Sequence, residues 1–376
     1  MPFHLAWRIL VDQKGRTALA TGGIFVAILL IFVELGFFMA VPQGGLLIYD
    51  HMRFDLLVCS DKYIFQSQSG QFPRARLETA MTVPEVARAT PFYLGAGKWQ
   101  DPNGGPKLDI AVIGLDPAAG VFAVPDIERQ RAVLETPDTV IVDSATRTLF
   151  GPLEAGRVVD IAGRRVTIGG QYVLGTGFLG LGIALASEAL FFRIFPQRPP
   201  DMVNLGLVSL KPGADPDETA KALRAVLPAD TQVFTRPELV AQEVAYWTTR
   251  TATGIIFGSG LVVSFVVGIM VLYQTLASQI TRQLPQFATL KAIGYRDRYL
   301  NGVVLVESFL MMAVAFPPAL GAALVIYEVV REQTLLPLRL DAPQLVAVFL
   351  ITLVMAAASA FLSLSGLRRA DPAEIF

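Results

Sequence analysis

Four long apolar stretches run along the chain, separated by polar segments of very unequal length. A hydrocarbon layer about 30 Å thick takes roughly 20 apolar residues as a helix, and each stretch meets that requirement. The first runs from Ala18 to Val41 with Glu34 as its only charge. The second, Thr251 to Thr281, carries no charged residue and is longer than a bilayer needs. The third covers Gly302 to Tyr327, with Glu307 near its start and Pro317-Pro318 in its interior, and the fourth covers Pro343 to Leu367. Four spans return both termini to one side. Arg8, Lys14, Arg16, Arg282, Lys291, Arg296, Arg298, Arg368 and Arg369 flank the spans on that side, whereas the loop after the third span sets Arg331 and Arg339 against Glu328, Glu332 and Asp341. The basic side is expected in the cytoplasm. The long segment from Pro42 to Arg250 then lies outside it.

Within that outer segment the pattern changes to short alternating runs, and the expectation is a mixed α/β domain. VNLGLVSL (Val203–Leu210) reads as a strand ending in the turn KPGADP. DPDETAKALRAVL reads as a helix, with Asp215 as its cap, Pro216 in the first turn and acids at its start. TQVF follows as a strand, which completes a β-α-β unit. GRVVDIAGRRVTIGGQYVL predicts a hairpin turning at Ala162-Gly163, and LDIAVIGLD and TVIVD predict further strands. ELVAQEVAYWTTR (Glu238–Arg250) meets the second span without a breaker, so one stalk helix is expected to continue into the membrane.

Composition agrees with a membrane protein. The 376 residues are 53% hydrophobic and 17% charged, where soluble chains carry about 25% charge. A net charge of −1 gives no bulk case for nucleic acid. The first apolar core is longer than that of a signal peptide, and FFMAVPQ is a poor cleavage site, so an uncleaved anchor is expected. Cys59 is the single cysteine and is expected to be a small buried apolar residue; the two histidines, His4 and His51, are too far apart to suggest a metal pair.

Motifs of catalysis fail on inspection. GAGKW (Gly95–Trp99) resembles the end of a phosphate-binding loop, but Phe92 and Trp99 stand where Gly and Ser or Thr are needed. GTGFLG (Gly175–Gly180) satisfies GxGxxG, yet faces the side where nicotinamide cofactors are scarce, and reads as a glycine-rich loop. No catalytic set and no metal-ligand cluster is seen. Glu34 and Glu307 are intramembrane acids, and such groups are functional candidates by default. Each either reaches an interface or an interhelical partner, or takes part in transport or coupling. Their different depths argue against one proton relay. The proline pair is expected to kink the third span.

LPQFATLKAIGYRDRYL (Leu284–Leu300) is a short basic segment between the second and third spans. Pro285 suits a helix start, and Phe287, Leu290 and Ile293 or Gly294 form an apolar face suited to a membrane surface. On physics alone, a basic anchor and a docking site are equally good readings. QFATLKAIGYRDRYLNGVVLVES resembles the corresponding segment of the MacB/FtsX superfamily of ABC transporter permeases. ATLKAIGY with RYL, FFRIFPQRPP (Phe191–Pro200), LKPGADP and the terminal ADPAEIF are similar to its DevC-like branch, and the likeness runs from LAWRIL to Phe376.

That resemblance implies a MacB-like (type VII ABC) permease of the bacterial inner membrane, with no catalysis in this chain. The implied organisation is an amphipathic N-terminal helix (1–17, with Phe3, Trp7 and Leu10), a first span (18–41), a periplasmic α/β domain (42–237) and a stalk continuing into the second span (238–281). A cytoplasmic coupling helix (282–300), a third span (301–327), a short loop (328–342), a fourth span (343–367) and a tail (368–376) complete it. Phe287, Leu290, Lys291, Ile293, Gly294 and Tyr295 are the implied contacts to a separate ABC ATPase subunit, which would hold the ATP-Mg. A second copy of the chain, a periplasmic membrane-fusion adaptor and a TolC-like outer-membrane channel are the other implied partners. The alternatives are an FtsX-like regulator of a cell-wall hydrolase, a lipoprotein-releasing permease, and a membrane-anchored outer enzyme.

Overall fold

The computed structural model describes residues 14–369, except 103, 176, 178, 179 and 335–337. The N-terminal residues Phe3, Trp7 and Leu10 and the terminal ADPAEIF lie outside the described residues, as do the side chains of Phe287 and Lys291. In chain order the elements are α1 (Lys14–Asp50), β1 (Leu56–Ser60), β2 (Phe72–Pro73), α2 (Ala75–Ala80), β3 (Val86–Gln100), β4 (Leu108–Leu115), α3 (Pro125–Arg129), α4 (Arg131–Glu135) and β5 (Thr139–Asp143). They continue with β6 (Val158–Ile161), β7 (Arg164–Tyr172), β8 (Ile183–Ser187), α5 (Glu188–Ile194), β9 (Met202–Val203), β10 (Leu205–Leu210), α6 (Pro216–Val226), β11 (Thr231–Thr235) and α7 (Arg236–Thr249). Three long helices follow: α8 (Ala252–Ala292), α9 (Asp297–Thr334) and α10 (Ala342–Arg369). The chain forms two compact units, an outer one spanning Val41–Thr251 and a helical one that takes α1 up to Ala40 together with α8, α9 and α10.

The outer unit is mixed α/β, as its alternating runs predict. Its main sheet has the order β11-β1-β10-β3-β4-β8-β5-β7-β6. Strand β3 serves two partners: Val86 to Phe92 pair with β10, and Tyr93 to Trp99 pair with β4. Its last residues return to β6, so β3, β4, β8, β5, β7 and β6 close into a small barrel. On the other side β1 inserts between β10 and β11, antiparallel to both, and α6 makes the crossover between those two. Asp215 caps α6 through bonds accepted from the Asp217 and Glu218 amides at 2.8 and 3.2 Å. The β6–β7 hairpin turns at Ala162 and Gly163, both with positive φ (55° and 86°), as a type I′ turn requires.

The barrel is filled by Val140, Val142, Val159, Ile161, Val166, Ile168 and Trp99, which are buried together with Phe191 of α5. This filling explains the glycines of GAGKW, which lie within β3. A Cβ on Gly95 would overlap the Phe195 ring, and one on Gly114 of β4 would overlap Phe191. The glycines admit an aromatic helix, not a phosphate. Overpacking of this kind costs about 1–3 kcal/mol. Gly114→Val is therefore expected to lower the apparent Tm of the detergent-solubilised chain by several degrees. In FFRIFPQRPP, Arg198 lies over the Phe191 and Phe195 rings, each 5.6 Å from the centroid, and reaches Asn204 Oδ1 at 3.2 Å. Asn204 in turn accepts from the Leu94 amide at 2.9 Å and donates to Gly70 O at 3.1 Å. That motif ties loops to the barrel.

GTGFLG is followed by strand β8 in place of a helix, and Gly175 donates its amide to Asp143 Oδ2 at 2.7 Å.

Among the described residues four helices are long and apolar enough to cross a membrane, within Thr21–Asp50, Ala252–Pro285, Asn301–Glu332 and Ala342–Leu364. Small residues let them approach: Ala315, Ala319 and Ala323 of α9 and Ala356 and Ala360 of α10 are buried in one cluster. Hydroxyls bridge the helices. Ser308 donates to Ala356 O at 2.8 Å, Ser359 to Ile269 O at 3.1 Å, and Tyr327 to Phe32 O.

Three boundaries differ from the sequence reading. The first helix does not stop at Val41 but runs through Pro42 to Asp50, because Leu46, Ile48 and Tyr49 bury themselves in the outer core and that packing outweighs one lost hydrogen bond. The expected continuous stalk is interrupted, since α7 ends at Thr249 and α8 starts at Ala252. Thr248, Thr249 and Thr251 turn their hydroxyls onto the carbonyls four residues back, at 2.6–2.7 Å, and such back-bonding bends helices. Pro285 lies inside α8, which runs on to Ala292, so the segment 282–300 is not a free-standing helix.

Candidate functional site

The turn between α8 and α9 gathers the residues singled out for docking. Gly294 has φ 102°, and the Tyr295 amide donates back to Leu290 O at 3.1 Å. This six-to-one bond is the closing bond of a Schellman cap, which calls for a residue with positive φ. Gly294 therefore ends α8. Leu290 is partly buried against the helical core. Ile293 and Tyr295 do the opposite and expose 71% and 44% of their surface. Arg296 and Arg298 are exposed beside them, and the Tyr295 and Tyr299 rings lie 4.8 Å apart. Apolar tips set among guanidinium groups suit a partner groove that is apolar at its centre and acidic at its rim.

The two intramembrane acids are separate features. Glu34 is half-buried, with its carboxylate where a Cβ on Gly260 of α8 would fall. Glu307 is fully buried, and neither carboxylate oxygen has a hydrogen-bond partner among the described residues. No hydrogen bond or ion pair joins the two acids among those residues. An unpaired buried carboxyl costs stability. Glu307→Leu is therefore expected to hold or raise the apparent Tm; a transport defect at undiminished stability would assign Glu307 a working role.

The outer domain holds a buried polar cluster that sequence reasoning missed. It is centred on Glu243 of α7, which has no exposed surface. Tyr63 donates its hydroxyl to Glu243 Oε1, the Gln66 amide donates to the same oxygen at 3.0 Å, and the Trp247 indole donates to Oε2 at 3.0 Å. Since Tyr63 gives its proton to Glu243, the Tyr49 hydroxyl of α1, 2.8 Å away, donates to Tyr63. Burial pushes the Glu243 carboxyl above its ordinary value, against the three bonds that pull it down. Burial, and the neighbouring Tyr49 and Glu243, push the Tyr63 phenol well up, so it keeps the proton it donates.

Around this centre the contacts are tight. A Cβ on Gly45 of α1 would overlap the Trp247 indole. Phe65 stacks on Tyr246 at 4.3 Å, and Arg236 bonds to Phe54 O at 2.9 Å and to Met52 O while its guanidinium sits 4.2 Å from the Phe54 ring centroid. The end of α1 and α7 are thus tied together at Arg236, at Trp247 and, through Tyr63, at Glu243. These helices are the segments by which the outer domain joins the first and second spans along the chain. The sequence held one trace of the clamp: Glu243 shares a helix face with Leu239 and Trp247, four residues to either side.

Cys59 is buried, with burial raising its thiol pKa, as expected of a structural cysteine. Among the described residues no group of His, Cys, Asp and Glu is placed to hold a metal ion.

Comparison with known proteins adds the family. The profile of the MacB-like periplasmic core domain matches residues 17–226, and that of the FtsX-like permease C-terminal region matches residues 258–372. No curated protein sequence matches the chain. Among solved structures, the periplasmic region of MacB from Actinobacillus actinomycetemcomitans is 12% identical with a TM-score of 0.36, covering 50% of this chain and 91% of that one. The extracellular domain of the noncanonic ABC-type transporter YknZ from Gram-positive bacteria is 12% identical with a TM-score of 0.34, covering 48% and 99%. A permease domain from Porphyromonas gingivalis is 15% identical with a TM-score of 0.32, covering 49% and 87%. With the two profiles accounting for most of its length, and four apolar helices flanking a large extracytoplasmic domain, this chain is a multi-pass membrane protein that belongs to the MacB/FtsX family of ABC transporter permeases.

Proposed function

We propose that this chain is the membrane subunit of a DevC/MacB-like exporter, and that it passes ATP-driven motion of a separate ATPase subunit to its outer domain. The observation that carries this reading is the Glu243 clamp. It fixes the end of α1 to α7 through Tyr49 and Tyr63, so a displacement of either span reaches the outer domain at one buried point. Ile293 and Tyr295 are the contacts on which the ATPase pushes, Gly294 sets the turn, and Phe287, Leu290 and Lys291 belong to the same segment. ATP and its magnesium belong to that partner. The chain works as a homodimer, and an adaptor with a TolC-like channel completes the export route. Export proceeds by expelling substrate from the outer side, which suits spans with few polar residues to line an aqueous pore.

Partner recovery tests this reading. The tagged chain, extracted from native membranes in mild detergent after crosslinking, is expected to bring down a P-loop ATPase and a periplasmic adaptor. A cell-wall hydrolase in place of the adaptor would make the chain an FtsX-like regulator, and absence of any ATPase would overturn the coupling role of Ile293 and Tyr295.

A further inference from the structure

A cleft of about 530 Å³ opens in the outer domain among Arg53, Arg88, Arg131, Thr90, Ser209 and the loop through Gly120. Its floor is the face shared by β3 and β10, where Arg88 stands opposite Ser209 and Thr90 opposite Leu207. One wall is the turn from Asp116 to Val121, in which Gly120 has φ 61°. The missing side chain there leaves room for the Arg131 guanidinium, whose Nη2 lies where a Cβ would press.

The charges do not balance. Arg53 meets Glu128 at 2.5 Å. Arg88 uses its guanidinium on Ala119 O at 2.9 Å, a neutral acceptor. Arg131 has no ion pair among the described residues. Three guanidinium groups thus stand against two carboxylates, Glu128 on Arg53 and Asp116, which is engaged by the Ala118 amide, and this leaves an excess of positive charge at the cleft. Guanidinium forks match the oxygens of phosphate in geometry and charge, and the hydroxyls of Thr90 and Ser209 add further donors. A bare phosphate would not fill the volume, which is within the range of small-molecule sites. Ala87, Ala118 and Val121 line the remainder with apolar surface, which suits the carbon part of an ester.

We infer that this cleft binds a phosphate monoester or diester, its phosphate between Arg88 and Arg131 and its carbon portion on the alanine wall. Such a group comes either from a lipid headgroup or from a soluble phosphorylated metabolite. The site stands apart from the coupling reading, since its binding needs no ATPase.

Isothermal titration of the full-length chain in a neutral detergent tests it with two probes, dihexanoylphosphatidylglycerol and glycerol 3-phosphate, with dihexanoylphosphatidylcholine as a comparison of net charge. Saturable binding of at least one anionic probe is expected, weakened at least about tenfold in both Arg88→Gln and Arg131→Gln, a loss equal to ~1.4 kcal/mol. Binding of the lipid alone assigns the site to a membrane headgroup, and binding of glycerol 3-phosphate assigns it to a soluble ester. Arg129→Gln, which removes a neighbouring exposed cation paired with Asp126 outside the cleft, is expected to bind as the parent does. An unchanged apparent Tm shows that the cleft variants are folded. The inference is overturned if neither anionic probe saturates, or if the folded Arg88 and Arg131 variants bind as tightly as the parent.

Discussion

Glu243→Ala is expected to lower the apparent Tm of the full-length chain by roughly 6–12 °C. The substitution removes the acceptor from three donors: the buried Tyr63 hydroxyl and Gln66 amide and the part-buried Trp247 indole. Each buried donor without an acceptor costs about 1–3 kcal/mol, and relief of the buried carboxyl offsets part of the sum. A net loss of about 3 kcal/mol then converts to that range at roughly 2–4 °C per kcal/mol for a domain of this size. Intrinsic tryptophan fluorescence on heating measures it directly, since Trp247 sits in the clamp.

The same group sets a pH dependence. Its folded pKa lies above its unfolded one, so between the two values the native state holds a proton that the unfolded chain has lost. The group's contribution is greatest below its ordinary unfolded pKa and falls as pH rises through the raised folded value. Glu243→Gln cannot titrate there, although its amide nitrogen faces the Trp247 donor and adds a constant cost. The Tm of the Gln variant relative to the parent is therefore expected to rise with pH across that window. A difference flat from pH 4 to 8 would remove Glu243 from the titrating groups.

The second large effect is expected at the turn. Ile293→Asp and Tyr295→Ser place a charge and a small hydroxyl where two exposed apolar side chains stand. Loss of one interface anchor costs about 2 kcal/mol or more, roughly 30-fold in affinity. Each variant is expected to lose most of the ATPase that the parent chain recovers, with membrane insertion and Tm unchanged. Because both side chains point away from the protein's own core, a folding defect is not the expected outcome. Equal recovery of the ATPase would show that docking occurs elsewhere.

The parts of this fold that a reader of the sequence sees are the ones encoded locally. Asp215 before Pro216, and Ala162-Gly163 between alternating runs, specify their cap and turn within a few residues, and both are present. The apolar runs declare themselves by length alone. Closure of the barrel does not, because the return of β3 to β6 and the parallel pairs β4–β8 and β5–β7 join residues far apart in the chain. Pro42 and Pro285 read as helix boundaries and lie inside helices instead, as packed membrane helices allow. Glu243 was hidden for a related reason. Its role depends on Tyr49 and Tyr63, which approach it only in the folded chain. At the turn between α8 and α9, the positive φ of Gly294 and the outward direction of Ile293 and Tyr295 required the structure.

The central claim is that the chain transmits motion to its outer domain, and a distance measurement tests it most directly. Cys59 is fully buried, which keeps it from competing with introduced cysteines for a spin label. Labels at Val173 in the outer domain and Glu332 near the end of α9, both exposed, report the relation of the two units by electron–electron resonance. With the co-purified ATPase in nanodiscs, ATP plus vanadate is expected to shift the distance distribution by several ångströms, and Ile293→Asp to abolish the shift. A distribution identical in every nucleotide state, with the ATPase bound and hydrolysing, would contradict the account.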